Sequence, residues 1–221
     1  YHAAPRAPTE AHALQALEEK PMSDKPDHQR PELPAFWDKR FGEGTTPWAA
    51  EGVPAALRTF ADATAGRPAT LIPGCGHARE AAWLAQRGWP VTALDFSASA
   101  IATAREILGD WPGELVEGDF FTFSPPTPFA LVYERAFLCA LPRRLWQDYG
   151  RRMHELLAPQ GRLVGFFFFG ADPKGPPFGI SPEHLDELLT PWFVREDDQD
   201  VEDSVPVFAG RERWQVWRRI S

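Results

Sequence analysis

Glycines, acids and one arginine stand at the ends of short apolar runs, where they could act on one ligand together. Residues 69–72 are apolar and break at Pro73-Gly74-Cys75-Gly76. Glycines at such a break let the backbone take positive φ and approach a ligand closely. A helix starting just beyond presents free N–H groups and a partial positive charge, which suit a carboxylate or phosphate. Asp95 ends the next apolar run, residues 91–94, and lies 19 residues after Gly76. An acid about 20 residues beyond the glycines, at the end of the second strand, can accept both hydroxyls of a ribose. Asp119 follows Leu115-Val116 and Gly118, and Glu134-Arg135 follows the run 129–133. An arginine there is a fixed cation that favours an anionic partner, though its high pKa makes it a poor base.

These positions need elements to hold them. Ala81, Ala82, Leu84 and Ala85 give one apolar face at helical spacing, and Gly88 sits where a C-cap glycine belongs. The stretch 70–95 therefore reads as a βαβ unit opened by a nucleotide-binding kind of turn. Dinucleotides and S-adenosylmethionine both fit it. The dinucleotide fingerprint wants a small residue three after the second glycine, and Arg79 stands there. That leaves S-adenosylmethionine ahead of NAD.

Downstream, Ser97 is a good N-cap for a helix through Leu108, with Ala100, Ile101, Ala104 and Leu108 on one face. Strands are expected at 115–116, 129–133 and 162–169, the last apolar on both faces and so central. A long helix is expected over 143–157, closed by a turn at 159–161, and another over 181–189 with Ser181 as N-cap and Pro182 after it. Two late strands, 193–194 and 205–217, have no helix between them and predict an antiparallel hairpin. The acids from Glu196 to Asp203 read as a solvated loop. Upstream, 36–41 is a short aromatic helix or turn, 42–48 a loop, and 53–63 a helix with Pro54 in its first turn. The sum is an α/β doubly wound, mostly parallel sheet of seven strands ending in an antiparallel hairpin. Ligands in such sheets sit at the carboxyl ends of the strands.

Composition narrows the function further. The chain has 221 residues, 43% hydrophobic and 24% charged, which suits one globular domain. A net charge of −8 with no basic face argues against nucleic acid. No apolar run is long enough for a membrane span. Two cysteines, Cys75 and Cys139, give no disulfide framework, so a reducing cytoplasm is expected. The six histidines pair with no Cys or acid at metal spacing, and no metal is expected. Residues 1–21, with a short helix possible at 11–20 between prolines, read as a disordered leader ahead of Met22. Residues 22–221 form the single domain, and 22–34 read as proline-rich, polar and loose.

Four blocks of this sequence carry a family resemblance: Trp37-Asp38-Lys39-Arg40-Phe41 with Gly44-Thr45-Thr46-Pro47-Trp48; Ile72-Pro73-Gly74-Cys75-Gly76 with Trp83-Leu84-Ala85 and Gly88; Gly118-Asp119-Phe120-Phe121; and Tyr133-Glu134-Arg135-Ala136-Phe137-Leu138-Cys139-Ala140-Leu141. Met153-His154-Glu155-Leu156-Leu157-Ala158-Pro159 and Gly175-Pro176-Pro177-Phe178 add to them. From about Phe36 onward the chain resembles the S-adenosylmethionine-dependent methyltransferases of the thiopurine and thiol/halide methyltransferase family. The resemblance implies a class I, Rossmann-like methyltransferase domain, a monomer, with S-adenosylhomocysteine as product. It makes residues 33–63 an N-terminal lid over the cofactor. Trp37, Phe41, Trp48, Gly74, Gly76, Asp95, Phe96, Asp119, Phe120 and Glu134 become cofactor contacts. Within that set, Gly74 approaches the methionine part, Asp95 takes the ribose, and Asp119 and Phe120 hold the adenine. Trp48, Arg135 and Phe178 border the acceptor, and Arg135 is the catalytic residue. Glu134-Arg135 resembles the thiopurine branch, whereas Thr45–Trp48 and Phe137–Leu141 look like the thiol/halide branch.

The implied reaction is methyl transfer from a sulfonium to a small thiol or related sulfur nucleophile by in-line displacement. Alignment alone can lower such a barrier by about 7–11 kcal/mol. The thiolate is the nucleophile, and Arg135 would stabilise it. A halide or thiocyanate acceptor needs no deprotonation and is the nearest alternative; thiopurines and selenium or tellurium compounds are further acceptors. An NAD-dependent oxidoreductase and a non-catalytic binding protein are the remoter readings. Cys75 reads as a small buried residue and His77 as loop surface, while Glu80 suits either the cofactor amine or the helix surface.

Overall fold

The computed structural model describes residues 25–221. The expected leader, the helix considered at 11–20 and Met22 lie outside the described residues.

Seven strands form one sheet: β1 (Thr70–Pro73), β2 (Val91–Asp95), β3 (Glu114–Glu117), β4 (Phe129–Arg135), β5 (Leu157–Phe168), β6 (Phe193–Asp200) and β7 (Glu212–Arg219). Their order is β3-β2-β1-β4-β5-β7-β6. β1 to β5 pair in parallel, and β7 runs antiparallel to both its neighbours. The chain winds outward from β1 to β3, then returns to lay β4 on the other side of β1. That reversal opens a crevice at the carboxyl ends of β1 and β4, where open α/β sheets bind ligands.

Among the described residues there are six α-helices: α1 (Pro34–Gly42), α2 (Ala55–Ala63), α3 (Arg79–Gln86), α4 (Ala98–Leu108), α5 (Trp146–Leu156) and α6 (Pro182–Leu189). Two are capped by serine hydroxyls as the sequence predicts: Ser97 Oγ accepts from the Ala100 N–H at 3.1 Å, and Ser181 Oγ from the His184 N–H at 3.1 Å. Successive strand residues point to opposite faces and fill two cores. In β4, Leu131 and Tyr133 join α2, α3 and α4, while Val132 joins α5 and α6. In β5, Val164 and Phe166 go with the first core, Leu163 and Phe167 with the second. Between them sits Gly165, at φ +151°, where a Cβ would lie 1.8 Å from the Glu134 carbonyl oxygen. Only glycine lets β5 approach the end of β4 this closely, so Gly165 sets the backbone that carries Glu134 and Arg135.

Five local expectations are corrected. The turn at 159–161 lies inside β5, where the register against β4 shifts: Phe129 pairs with Leu157 and Leu131 with Arg162, so the extra residues bulge from β5. The helix begins at Trp146, after one 3₁₀ turn at Arg143–Leu145. The acids from Glu196 to Asp200 belong to edge strand β6 rather than a loop. Their charges are matched across the strands: Glu196 pairs with Arg218 at 2.6 Å and Asp198 with Arg213 at 2.5 Å, while Arg213 also reaches Asp200. A polar sequence becomes a strand here because its edge position leaves most of its side chains in solvent. The late strand starts at Glu212, not Val205. Finally, residues 25–34 carry a 3₁₀ turn at Asp27–Gln29 and are tied in place by the Glu32–Arg144 ion pair at 3.0 Å.

Candidate active site

At the carboxyl ends of β1, β2 and β4 lies a cavity of about 480 Å³. Trp37, Phe41, Trp48, Gly74, Gly76 and Asp95 line it, as do Phe96, Asp119, Phe120 and Arg135. Ten of the twelve residues singled out from the sequence therefore meet in one place; Glu134 and Phe178 are not among the lining residues.

The floor is the turn after β1. Gly74 and Gly76 have φ of +59° and +50°. A Cβ on Gly74 would sit 2.5 Å from the Phe137 ring, so steric space as well as backbone angle requires glycine. Ala78 also takes a left-handed conformation, at φ 54°, and opens α3 without a side-chain cap. The first-turn N–H groups of α3 are therefore left for a partner at the cavity, the arrangement that favours a carboxylate or phosphate.

Asp95 is 7% exposed and held from both sides. Oδ2 accepts the Gly76 N–H at 3.0 Å and Oδ1 the Ser97 N–H at 3.0 Å. A carboxylate has about four lone-pair sites, so acceptor capacity remains for two hydroxyls. Burial raises its pKa to about 6, partly offset by the backbone hydrogen bonds from Ser97, Gly76 and Phe96; the charge of Asp38 adds to the rise. Asp119 is exposed at the rim, with Oδ1 accepting the Phe121 N–H at 2.8 Å. Phe120 is buried beside it, its ring 5.0 Å from that of Phe137.

The opposite wall is aromatic. Trp48 packs edge-on against Trp37 and Phe41, with centroids 5.5 and 6.2 Å apart. The Trp37 indole N–H donates to the Pro31 carbonyl at 2.8 Å. Asp38 fastens α1 to the ligand-facing turn: its Oδ1 accepts the Ser97 hydroxyl at 2.7 Å and the Ser99 N–H at 3.0 Å. Of the segment expected as a lid, Trp37, Phe41 and residues 48–50 border the cavity. α2 does not; its Leu57 and Ala61 are buried in the core against the sheet.

Arg135 enters from the end of β4. Its side chain is 8% exposed, Nε lies 3.5 Å from Glu80 Oε1, and its guanidinium lies 4.7 Å from the Phe166 ring centroid. Nη1 is buried with no hydrogen-bond partner among the described residues. Burial opposes its charge, but Tyr133, Glu80 and Glu212 outweigh that and hold its pKa above the ordinary guanidinium value. Glu134, one residue earlier, points the other way. Its Oε1 accepts the N–H groups of Phe137 and Leu138 at 2.8 and 3.1 Å, and its Oε2 the Tyr149 hydroxyl at 2.7 Å. It shapes the loop that follows Arg135, and burial pushes its pKa to about 7 despite those bonds. Phe178 donates its backbone N–H to the Cys139 carbonyl at 2.7 Å and packs against the α5–α6 core.

Cys75 lines the cavity, and burial, followed by the Asp95 charge, raises its thiol pKa well above normal, so it is a poor nucleophile. Among the described residues no group of three or more His, Cys, Asp or Glu is placed to hold a metal. Sequence reasoning missed three residues of the site's frame: Asp38, Glu32 and Arg144. Asp38 lies in the aromatic block next to Trp37, but nothing local says that its partner is Ser97, 59 residues on.

A sheet of this order, with a glycine turn after β1 facing an acid at the end of β2, defines a class I S-adenosylmethionine-dependent methyltransferase. Solved structures of the class share the fold. The 1,6-didemethyltoxoflavin-N1-methyltransferase of Burkholderia thailandensis, bound to S-adenosylhomocysteine, matches with a TM-score of 0.68 at 21% identity, covering 100% of this chain and 94% of that one. A TehB-like S-adenosylmethionine-dependent methyltransferase from Corynebacterium glutamicum gives 0.63 at 20% identity, covering 83% and 98%. Residues 33–220 match the thiopurine S-methyltransferase (TPMT) family, and the chain belongs to that family. Thiocyanate methyltransferase 1 of Arabidopsis thaliana is 28% identical over 192 residues, 84% of this chain and 85% of its own. The thiopurine S-methyltransferase of Vibrio vulnificus is 30% identical over 190 residues, 76% of this chain and 86% of its own. The methyl donor of the family, and so of this chain, is S-adenosylmethionine. The donor set fits it: an acid with free lone pairs, an uncapped helix start and aromatic faces in one cavity.

Proposed function

We propose that this enzyme methylates a small sulfur nucleophile, held in the cavity as its anion. The observation that carries the reading is Arg135: a buried cation at the cavity wall whose Nη1 has no protein partner. A guanidinium so placed lowers the energy of an anionic acceptor and depresses the pKa of a bound thiol. It does not remove the proton itself. The names of the relatives from Vibrio and Arabidopsis, one for thiopurines and one for thiocyanate, both point to sulfur acceptors.

The chain's own residues then divide the work. Asp95 takes the ribose hydroxyls, the first turn of α3 takes the amino-acid carboxylate, and Phe96, Asp119 and Phe120 hold the adenine. Gly74 and Gly76 keep the floor open. The bound cofactor supplies a methyl group on a positively charged sulfur, which the acceptor sulfur takes in line with the departing thioether. Trp37, Phe41 and Trp48 exclude water from that line, and Trp48 with Arg135 borders the acceptor. Most of the rate enhancement comes from alignment and from exchanging water for fixed dipoles. A halide or thiocyanate acceptor on the same fold is the second reading, and the Arabidopsis relative named for thiocyanate is consistent with either. No described helix is long and apolar enough to cross a membrane; we place the enzyme in the cytoplasm, as a monomer acting on a free small molecule.

The test is transfer of labelled methyl from S-adenosylmethionine to a panel of thiols, thiopurines, iodide and thiocyanate. Labelled methyl thioethers support the reading. Label found only in methyl iodide favours the halide reading, and no transfer to any member overturns both.

A further inference from the structure

We infer that Tyr133 is an acceptor-binding residue, its hydroxyl donating beside Arg135 to the anionic sulfur of the acceptor. The inference rests on the sulfur-acceptor reading above and adds a second specificity-determining group to it.

Tyr133 is 1% exposed, and its ring lies in the core between the sheet and α3. Phenylalanine would pack there equally well. The hydroxyl, buried and without a hydrogen-bond partner among the described residues, is therefore not explained by packing. An unpaired buried hydroxyl costs about 1–3 kcal/mol, which a ligand can relieve. Three further observations say where that ligand lies. Tyr133 and Arg135 both line the cavity. They are two residues apart on β4, so they leave the strand on the same face. Arg135 Nη1 is likewise buried and unpartnered, because the contact with Glu80 is made through Nε. The Tyr133 hydroxyl and the Arg135 guanidinium thus stand side by side, close enough for each to shift the other's pKa, and neither the hydroxyl nor Nη1 has a hydrogen-bond partner of normal geometry among the described residues.

The pair selects by charge. Burial first, and then the Glu80 carboxylate, raise the Tyr133 pKa well above that of a free phenol. The hydroxyl stays protonated at neutral pH and serves as a donor, never as a base. An acceptor that arrives as a thiolate, hydrosulfide or thiocyanate ion satisfies both groups. Glu80 already partners Arg135 through Nε, so selection acts through Nη1 and the Tyr133 hydroxyl: an anionic sulfur satisfies both, and a neutral thioether or amine offers them a weaker acceptor.

The test is Tyr133→Phe in the full chain. The ring is kept and no protein hydrogen bond is lost, so thermal midpoint and S-adenosylhomocysteine affinity are expected to match wild type. Thiocyanate is then titrated into the S-adenosylhomocysteine complex by calorimetry. Its Kd is expected to rise at least tenfold in the variant, with a matching rise in KM for a thiol and an unchanged KM for S-adenosylmethionine. Unchanged thiocyanate affinity in the variant, with wild type binding normally, overturns the role of the hydroxyl alone. Equal losses for thiocyanate and S-adenosylhomocysteine also overturn it, since the hydroxyl would then serve the cofactor or the fold. Wild type that binds no thiocyanate and methylates no thiol removes the sulfur-acceptor reading itself.

Discussion

Cofactor affinity should titrate with Asp95. In the free protein burial raises this carboxyl to a pKa of about 6. Both its oxygens already accept backbone N–H groups, so ribose hydroxyls must use the lone pairs that remain. Protonation removes one of those and presents an O–H donor instead. The ligand therefore binds the ionised form. At pH 5, one unit below the pKa, only about one molecule in eleven is ionised, so apparent affinity falls about tenfold, or about 1.4 kcal/mol. Above pH 7 the affinity should be flat. Calorimetric titration with S-adenosylhomocysteine from pH 5 to 7.5 reads this directly. Repeating it in buffers of different ionisation enthalpy should show about 0.9 proton released per ligand at pH 5 and almost none at pH 7.5. Asp95→Asn should bind more weakly and lose the pH dependence. Affinity that is constant across this range, or proton uptake on binding, would refute the assignment of Asp95 to the ribose.

Other perturbations read other parts of the site. Gly165→Ala drives a Cβ into the Glu134 backbone and should cost about 3 kcal/mol or more, lowering the thermal midpoint by about 6–12 °C; a near-wild-type midpoint contradicts the close β4–β5 approach. Glu134 has a folded pKa of about 7 against 4.5 for the unfolded chain, so the folded state holds the extra proton between those values. Its contribution to stability therefore falls as pH rises from about 4.5 to 7, by about 3 kcal/mol across the window. Glu134→Gln should flatten that decline relative to wild type in denaturant titrations at pH 5 and 7.5, and parallel curves would contradict it. Arg135→Ala should reduce kcat/KM for thiols by about 100-fold, the usual loss for one fixed electrostatic group, and for iodide by less. Equal losses on the two acceptors would mean that Arg135 serves the cofactor or the fold.

The βαβ unit was readable because its signals are local. The glycine turn, the alanine face of α3 and the acid 19 residues on all lie within one stretch, and strand ends fix where side chains must meet. Local pattern fails where distant partners decide. The acids of β6 look like a loop because their pairing with Arg213 and Arg218 lies in another strand. Glu134 sits in the right dipeptide, yet strand alternation turns it away from Arg135 and into the α5 core, where Tyr149 and two backbone N–H groups receive it. Glu80 offered two roles from sequence alone, and the packing of α3 against β4 makes it the partner of Arg135. Glu32 likewise finds a partner in Arg144, more than a hundred residues later.

One reaction tests the central claim most directly. The enzyme is given methyl-labelled S-adenosylmethionine with an aromatic thiol and iodide together at equal concentration, and the products are separated. A site built on a buried guanidinium that stabilises a sulfur anion predicts label chiefly in the methyl thioether, with the preference reduced in Arg135→Ala. Label chiefly in methyl iodide, or a thiol preference untouched by Arg135→Ala, would contradict it.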